Sequence, residues 1–308
     1  MIASLSMTSR TTAIIYAVIV ALLFATHTVF SRMLLGTVDP LAYAGLRGLG
    51  AGLILGLVHA RPMLERLNYP LIPKAMIVAT FGYGLNQVLL IEGLIRAGSA
   101  DAALINGTIP LVTAMATAVL NLERLGKMRL IGVLLGLIGL SGFTIAVQRT
   151  NLRFDLLGDL FLLGNVLAFG LALALLRLLT RSVPSGVAAA LMLTLGGGLL
   201  LAIAAPQVPK TLYLVLSTPW MALLTCFDML VCTALAWLLY VKAIASLGAT
   251  QAAAFSYLQA PLTALITWMA LSEHPPPLLV PLTLFLLFAV WLVAQATPLI
   301  QRRTPRFW

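Results

Sequence analysis

The chain has 308 residues, of which 61% are hydrophobic and 9% charged, and its mean hydropathy is +1.05. A soluble fold of that composition has too little polar surface to cover itself, so an all-α integral membrane protein is expected, in contact with the lipid bilayer. The net charge of +10 does not point to a nucleic-acid partner, because the 19 Lys and Arg flank apolar runs instead of forming one basic face.

A membrane-crossing helix needs about 20 mostly apolar residues. Apolar runs between charged or proline-rich breaks predict ten such helices, near 13–31, 40–59, 72–96, 100–121, 129–147, 157–177, 184–204, 219–241, 250–271 and 278–297. The first run, Ala13 to Phe30, is long and lacks a small-x-small cleavage site, so it is read as a span and not as a signal peptide. Five helices precede the break at Gln148 to Asp155 and five follow it. That gives a first repeat over 1–147, a linker over 148–156 and a second repeat over 157–308.

Five is an odd number, so the second half must enter the membrane in the opposite sense to the first. Lysine and arginine distribution agrees with this. With the N-terminus cytoplasmic, thirteen lie in inner segments, five (Arg32, Arg96, Arg149, Arg153 and Lys210) lie in outer segments, and Arg47 sits inside a span. The bias puts both termini on the cytoplasmic side, as expected for a multi-pass protein of the inner (cytoplasmic) membrane. Corresponding loops also exchange charge: Arg124, Lys127 and Arg129 follow the fourth helix, whereas no Lys or Arg follows the ninth at Glu273, His274 and Pro275. Two inverted five-helix repeats account for the exchange.

One stretch, GSADAALINGTIPLVTAMATAVLNLE from Gly98 to Glu123, returns in weaker form as GATQAAAFSYLQAPLTALITWMALSE from Gly248 to Glu273. Each copy carries a proline, Pro110 or Pro261, deep within its apolar run. There it removes a helix hydrogen bond and frees a carbonyl, which marks the helix as broken. Broken helices at matching places in two halves point to the central site of a transporter. Glu123 and Glu273 close these helices and are expected to cap the N-terminus of the next one.

The pattern resembles the drug/metabolite transporter superfamily in its EamA-like branch, over essentially the whole chain. The residues that carry the resemblance are LLFATHTVFSR in the first helix, PLAYAGLR in the second, EGLIRAGSADAALINGTIP across the third and fourth, and the Pro110-to-Glu123 spacing with its echo. GDLFLLGNVLAFG and LGATQAA extend it into the second half, and Phe24 stands where members often carry Trp. The resemblance implies a pseudo-two-fold bundle, with helices 1–4 and 6–9 around a central cavity and helices 5 and 10 peripheral. It also implies alternating access by rocking of helix groups, and export or exchange of small metabolites and drugs, including amino acids.

Ionisable groups inside a bilayer are costly enough to need a partner or water. Arg47 and Glu92 lie at similar depth and are expected to pair, either as an outer gate or as a structural pair that fixes helix register. Asp228 lies near the middle of the eighth helix with no charge within one turn, which makes it the candidate for proton coupling, protons being the expected co-substrate. The other reading is a protonated carboxyl bonded to a neighbouring helix. His27, with Phe24, Thr28 and Ser31 on the same helix face, is placed at the cavity; His59 and His274 lie at helix ends.

The fourth helix presents Asn106, Pro110, Thr113 and Thr117 on one face, and the ninth presents Ser256, Gln259, Thr263 and Thr267. These faces are expected to meet across the substrate cavity, with interhelical hydrogen bonding as the alternative role. Tyr83, Asn86 and Gln87 of the third helix, Asn165 and Phe169 of the sixth, and Trp237 and Tyr257 complete the expected substrate wall. Tyr240 and Trp268 are read as packing or interfacial residues.

No Walker-type phosphate loop, H-E-x-x-H motif or serine nucleophile elbow occurs, which argues against an ATP-driven pump or an enzyme and for no cofactor. Cys226 and Cys232 are expected to be packing residues that bind no metal. Among the 24 glycines, Gly45-x-x-Gly48 and Gly196–Gly198 are expected at close helix crossings.

Overall fold

The computed structural model describes residues 7–34, 36–66, 70–123, 126–148, 155–271 and 278–295, and within these the fold is all-helical. Eight segments are long and apolar enough to cross a membrane. They lie within α1 (Met7–Leu34), α2 (Pro40–Val58), α3 (Leu71–Arg96), α4 (Asp101–Val119), α5 (Lys127–Gln148), α6 (Leu156–Ser182), α7 (Ser185–Ile203) and α8 (Pro219–Leu247). The ninth expected run, α9 over 249–271, is divided into Ala249–Ala254, a 3-10 turn at Phe255–Leu258, and Gln259–Leu271. The tenth, α10, is apolar and covers 17 residues, Leu279–Gln295, within the described part of the chain.

Local chemistry sets the helix starts. Asp39 accepts a hydrogen bond from the amide of Ala42 at 2.8 Å, with Pro40 at the first position of α2. Asp155 does the same for Gly158 at the start of α6, and Thr218 for Met221 at the start of α8, ahead of Pro219. These caps satisfy backbone donors that the first turn leaves free.

The duplication is visible in the backbone. Gly98 and Gly248 have φ of 93° and 99°, a region open to glycine and strained for other residues, and each turns the chain into a broken helix. α3 and α8 each run for nine α-helical residues and then open into a π turn, at Thr80–Gly84 and Asp228–Leu235. Pro110 sits in the first turn of Ile109–Val119, after a break at Gly107 and Thr108, where its missing N–H costs nothing. Pro261 likewise follows the 3-10 turn of α9. Gly98→Ala and Gly248→Ala are each expected to lose about 1–3 kcal/mol from backbone strain. The Gly248 variant should be the worse, since its new Cβ would also lie 2.5 Å from Glu123 Oε1. Thermal unfolding of the two purified variants checks the order.

The two halves interleave. α3 and the second piece of α4 pack on α6, while the second pieces of α8 and α9 pack on α1. α2 packs on α7, α5 on α10, and the start of α9 on the end of α4. Exchanging the halves turns the first four kinds of pair into themselves, as a two-fold relation requires, while the α4–α9 contact is made at one end. The α2–α7 crossing is drawn tight by glycine: Gly197 faces the Gly48 and Leu49 backbone, and Gly52 faces Thr194. Gly198, also expected at a close crossing, has nothing within 4 Å of its would-be Cβ. Glu273, His274 and most of the 148–156 linker lie outside the described residues.

Candidate functional site

The most strongly polar interior group joins α1, α2 and α8 around Asp228, which is 0% exposed. The Tyr43 hydroxyl donates to its Oδ2 at 2.7 Å, and His27 Nδ1 lies 2.8 Å from Oδ1. Because an ionised carboxylate only accepts, the proton of that bond is assigned to His27 Nδ1. Arg47 Nε lies 3.8 Å from Oδ2, an ion-pair distance beyond hydrogen-bond reach. The Arg47 guanidinium instead donates from Nη1 to Thr233 Oγ1 at 3.0 Å, and that hydroxyl donates to the Asp228 carbonyl at 2.9 Å. Thr233 therefore satisfies a carbonyl of the π turn and ties the turn to Arg47. His27 is the partly open member, with 23% of its side chain exposed, and Ser31 Oγ lies 3.3 Å from its Nε2.

This arrangement corrects the expected Arg47–Glu92 pair. Glu92 faces Arg96 one turn along its own helix at 3.8 Å, with both side chains well exposed, whereas Arg47 is 5% exposed and turned to Asp228. Depth fixes how far a side chain lies along a helix but not which way around it points, and here the rotation of α2 favours α8. Tyr43 and Thr233 are functional candidates that the sequence reading missed. Tyr43 precedes Arg47 by one turn on the same face; Thr233 follows Asp228 by five residues and comes beside it through the π turn.

Next to this group, Trp237 is ringed edge-on by Phe24 at 5.8 Å, Phe169 at 6.1 Å, Tyr83 at 6.5 Å and Tyr240 at 5.7 Å between centroids. Such contacts add about 0.5–1.5 kcal/mol per pair beyond area burial. Phe24 of α1 and Phe169 of α6 come from the two halves and meet on one indole. The Tyr83 hydroxyl donates to the Ala44 carbonyl at 3.0 Å. On the far side, an amide chain links α3, α6 and α4: Asn86 Nδ2 donates to Asn165 Oδ1, and Asn165 Nδ2 donates to Asn106 Oδ1 at 2.7 Å.

The remaining expected wall residues divide. Gln87, Gln259 and Thr263 are half-buried. Thr28 is exposed and its hydroxyl donates to the Phe24 carbonyl, while Thr113 is fully buried and donates to the Ile109 carbonyl. Tyr257 is corrected: it is 0% exposed, its hydroxyl donates to the Val133 carbonyl at 3.0 Å, and its ring lies against Gly136 of α5. It packs α9 on α5 and does not face Asp228. The faces of α4 and α9 also do not meet along their length. Asn106 turns to Asn165, and contact between the two helices comes at one end, where Thr117 and Thr250 hydroxyls lie 3.1 Å apart.

At that same end Glu123 is 3% exposed. Its Oε2 accepts from Arg129 at 2.9 Å and its Oε1 from the Ala249 amide at 2.6 Å. The expected cap on the next helix is thus corrected: Glu123 pairs with a side chain of that helix and caps α9 of the opposite half. Asn121, with φ of 55°, turns the chain back beneath α4 so that Glu123 reaches across. Among the described residues, no group of three or more His, Cys, Asp or Glu is placed to hold a metal ion.

A fold made of two interleaved halves agrees with known proteins. The profile of the EamA-like transporter family matches residues 11–145 and 156–295. No curated protein matches the chain. Among 28 matching chains of solved structures, one described as "Crystal structure of protein" has a TM-score of 0.74 at 18% identity, covering 94% of this chain and 100% of its own, and it shows the fold alone. The chain belongs to the EamA-like transporter family. It is a multi-pass membrane transporter of the drug/metabolite type.

Proposed function

We propose that the chain is a secondary active transporter that exports small polar or amphipathic metabolites, such as amino acids, related compounds or drugs, in exchange for protons. It works by alternating access in the cytoplasmic membrane, with ten spans in two inverted repeats (1–147 and 157–308) and both termini cytoplasmic. The observation that carries the reading is the Asp228 group: a buried carboxylate held by His27, Tyr43 and Arg47 from two other helices, with one member open. Arginine stays charged at any physiological pH, so the proton enters at His27, the side chain that ordinarily titrates nearest neutrality, and is shared with Asp228. Neutralising Asp228 removes the charge that holds Arg47, and α2 and α8 are then free to part. Trp237 with its ring of aromatics offers apolar and cation-attracting surface, and the amide chain offers donors and acceptors.

Exchange or uncoupled facilitated diffusion is the competing reading, favoured by the compensation of Asp228, which would make the group a fixed structural pair. Counterflow into proteoliposomes with a metabolite panel, with and without a pH gradient, separates the two. Proton exchange predicts flux that the gradient accelerates. Flux indifferent to the gradient supports uncoupled transport, and no flux across a broad panel contradicts transport.

A further inference from the structure

We infer that Glu123 is the residue that latches one end of the bundle shut, and that its release is required for that end to open. The inference rests on alternating access as proposed above. Its two carboxylate oxygens join elements of opposite halves, Arg129 at the start of α5 in the first and the Ala249 amide at the start of α9 in the second. Beside it, Thr117 of α4 meets Thr250 of α9, both 0% exposed. Arg177 of α6 closes the same end, donating to the carbonyls of Ile244 at 2.8 Å and of Ala245 at the end of α8.

The contact is built to be strong and to be broken. The carboxylate satisfies a guanidinium and a helix-terminal amide that its withdrawal would leave buried, and bonds to charged groups are the stronger kind. Yet across the halves it depends on one side chain, Glu123, meeting one backbone amide, Ala249, beside the weaker Thr117–Thr250 contact, so separating α4 from α9 needs that side chain to let go and one hydroxyl pair to part. Gly248 is part of the device: any side chain there would occupy the space of Glu123 Oε1, 2.5 Å away, so glycine keeps the α9 amide open to the carboxylate. At the other end of these helices no carboxylate bridge between α4 and α9 is present among the described residues; Asn106 there bonds to Asn165 of α6 and not to α9.

The test uses single-cysteine reporters in a Cys226→Ser/Cys232→Ala background, labelled with a hydrophilic maleimide on the purified full chain. Thr250→Cys reports opening at the latch, Val133→Cys reports loosening of α5 nearby, and Ser31→Cys reports the far end beside His27. Glu123→Ala is expected to speed labelling at position 250 about 10-fold, equivalent to about 1.4 kcal/mol, without speeding it at 133 or 31. Glu123→Gln, which keeps an acceptor for Ala249 but loses the ion pair, gives a smaller rise. Equal acceleration at all three positions means local unfolding and overturns the latch. Labelling at 250 that occurs with Glu123 intact and is unchanged by either substitution overturns the latch alone. Protection of position 250 in every variant contradicts alternating access at this end as well.

Discussion

Asp228→Ala is expected to cost about 3–5 kcal/mol of stability, because it leaves Arg47 buried without its counter-charge and strips His27 and Tyr43 of their shared acceptor. Flux should vanish with it. Stability and function are separable here: the pair Arg47→Met with Asp228→Leu removes both charges, and apolar replacement of a buried ion pair is often neutral or stabilising. That double variant should regain most of the lost thermal stability and none of the transport. Thermal unfolding in detergent and counterflow of the same preparations read the two effects. If the double variant transports, the charges are structural.

Gly197→Val should be comparably severe for a different reason. Its Cβ would press on the Leu49 amide, which is backbone, and would lie 2.7 Å from the Gly48 carbonyl carbon, so no rotamer change relieves it. α2 and α7 must part, at about 3 kcal/mol or more given the usual range for overpacking. Because α2 carries Tyr43 and Arg47, the same shift should loosen the Asp228 group and lower flux at temperatures where the protein is still folded. Gly198→Val, one position on and facing open space, should leave the unfolding temperature unchanged.

Much of the fold is written in features with a local physical cause. Gly98 and Gly248 needed a backbone that only glycine accepts, Pro110 and Pro261 forced helix breaks, and Gly48 with Gly197 allowed a close crossing. Each is legible because its consequence stays within a turn or two of the residue. The π turns of α3 and α8 were less so, since apolar runs do not reveal where a helix changes its winding. Asp228 stood out by depth alone, and the prolines marked two helices that are divided, although the Asp228 group lies on α1, α2 and α8.

Partner identity was not legible. Arg47 had two acidic residues within spans to choose from, and the choice between Glu92 and Asp228 rests on helix rotation and on which helices interleave. Tyr257 read as a wall residue because an aromatic ring can stack on an organic solute or attract a cation, but Gly136 of α5 leaves a space that its ring fills. Glu123 read as a local cap because the nearest helix in sequence was the obvious one, and the interleaved halves bring a different helix start to it. In each case the missing information was tertiary.

Protons and solute are expected to move through the Asp228 group together. Internal pH of proteoliposomes, followed while a solute found in the counterflow panel moves down its gradient, tests it most directly. Proton movement opposite to the solute is expected in the unaltered protein, and in Asp228→Asn either no flux or flux without proton movement. Asp228→Asn that transports with the same proton movement and the same pH dependence would contradict it.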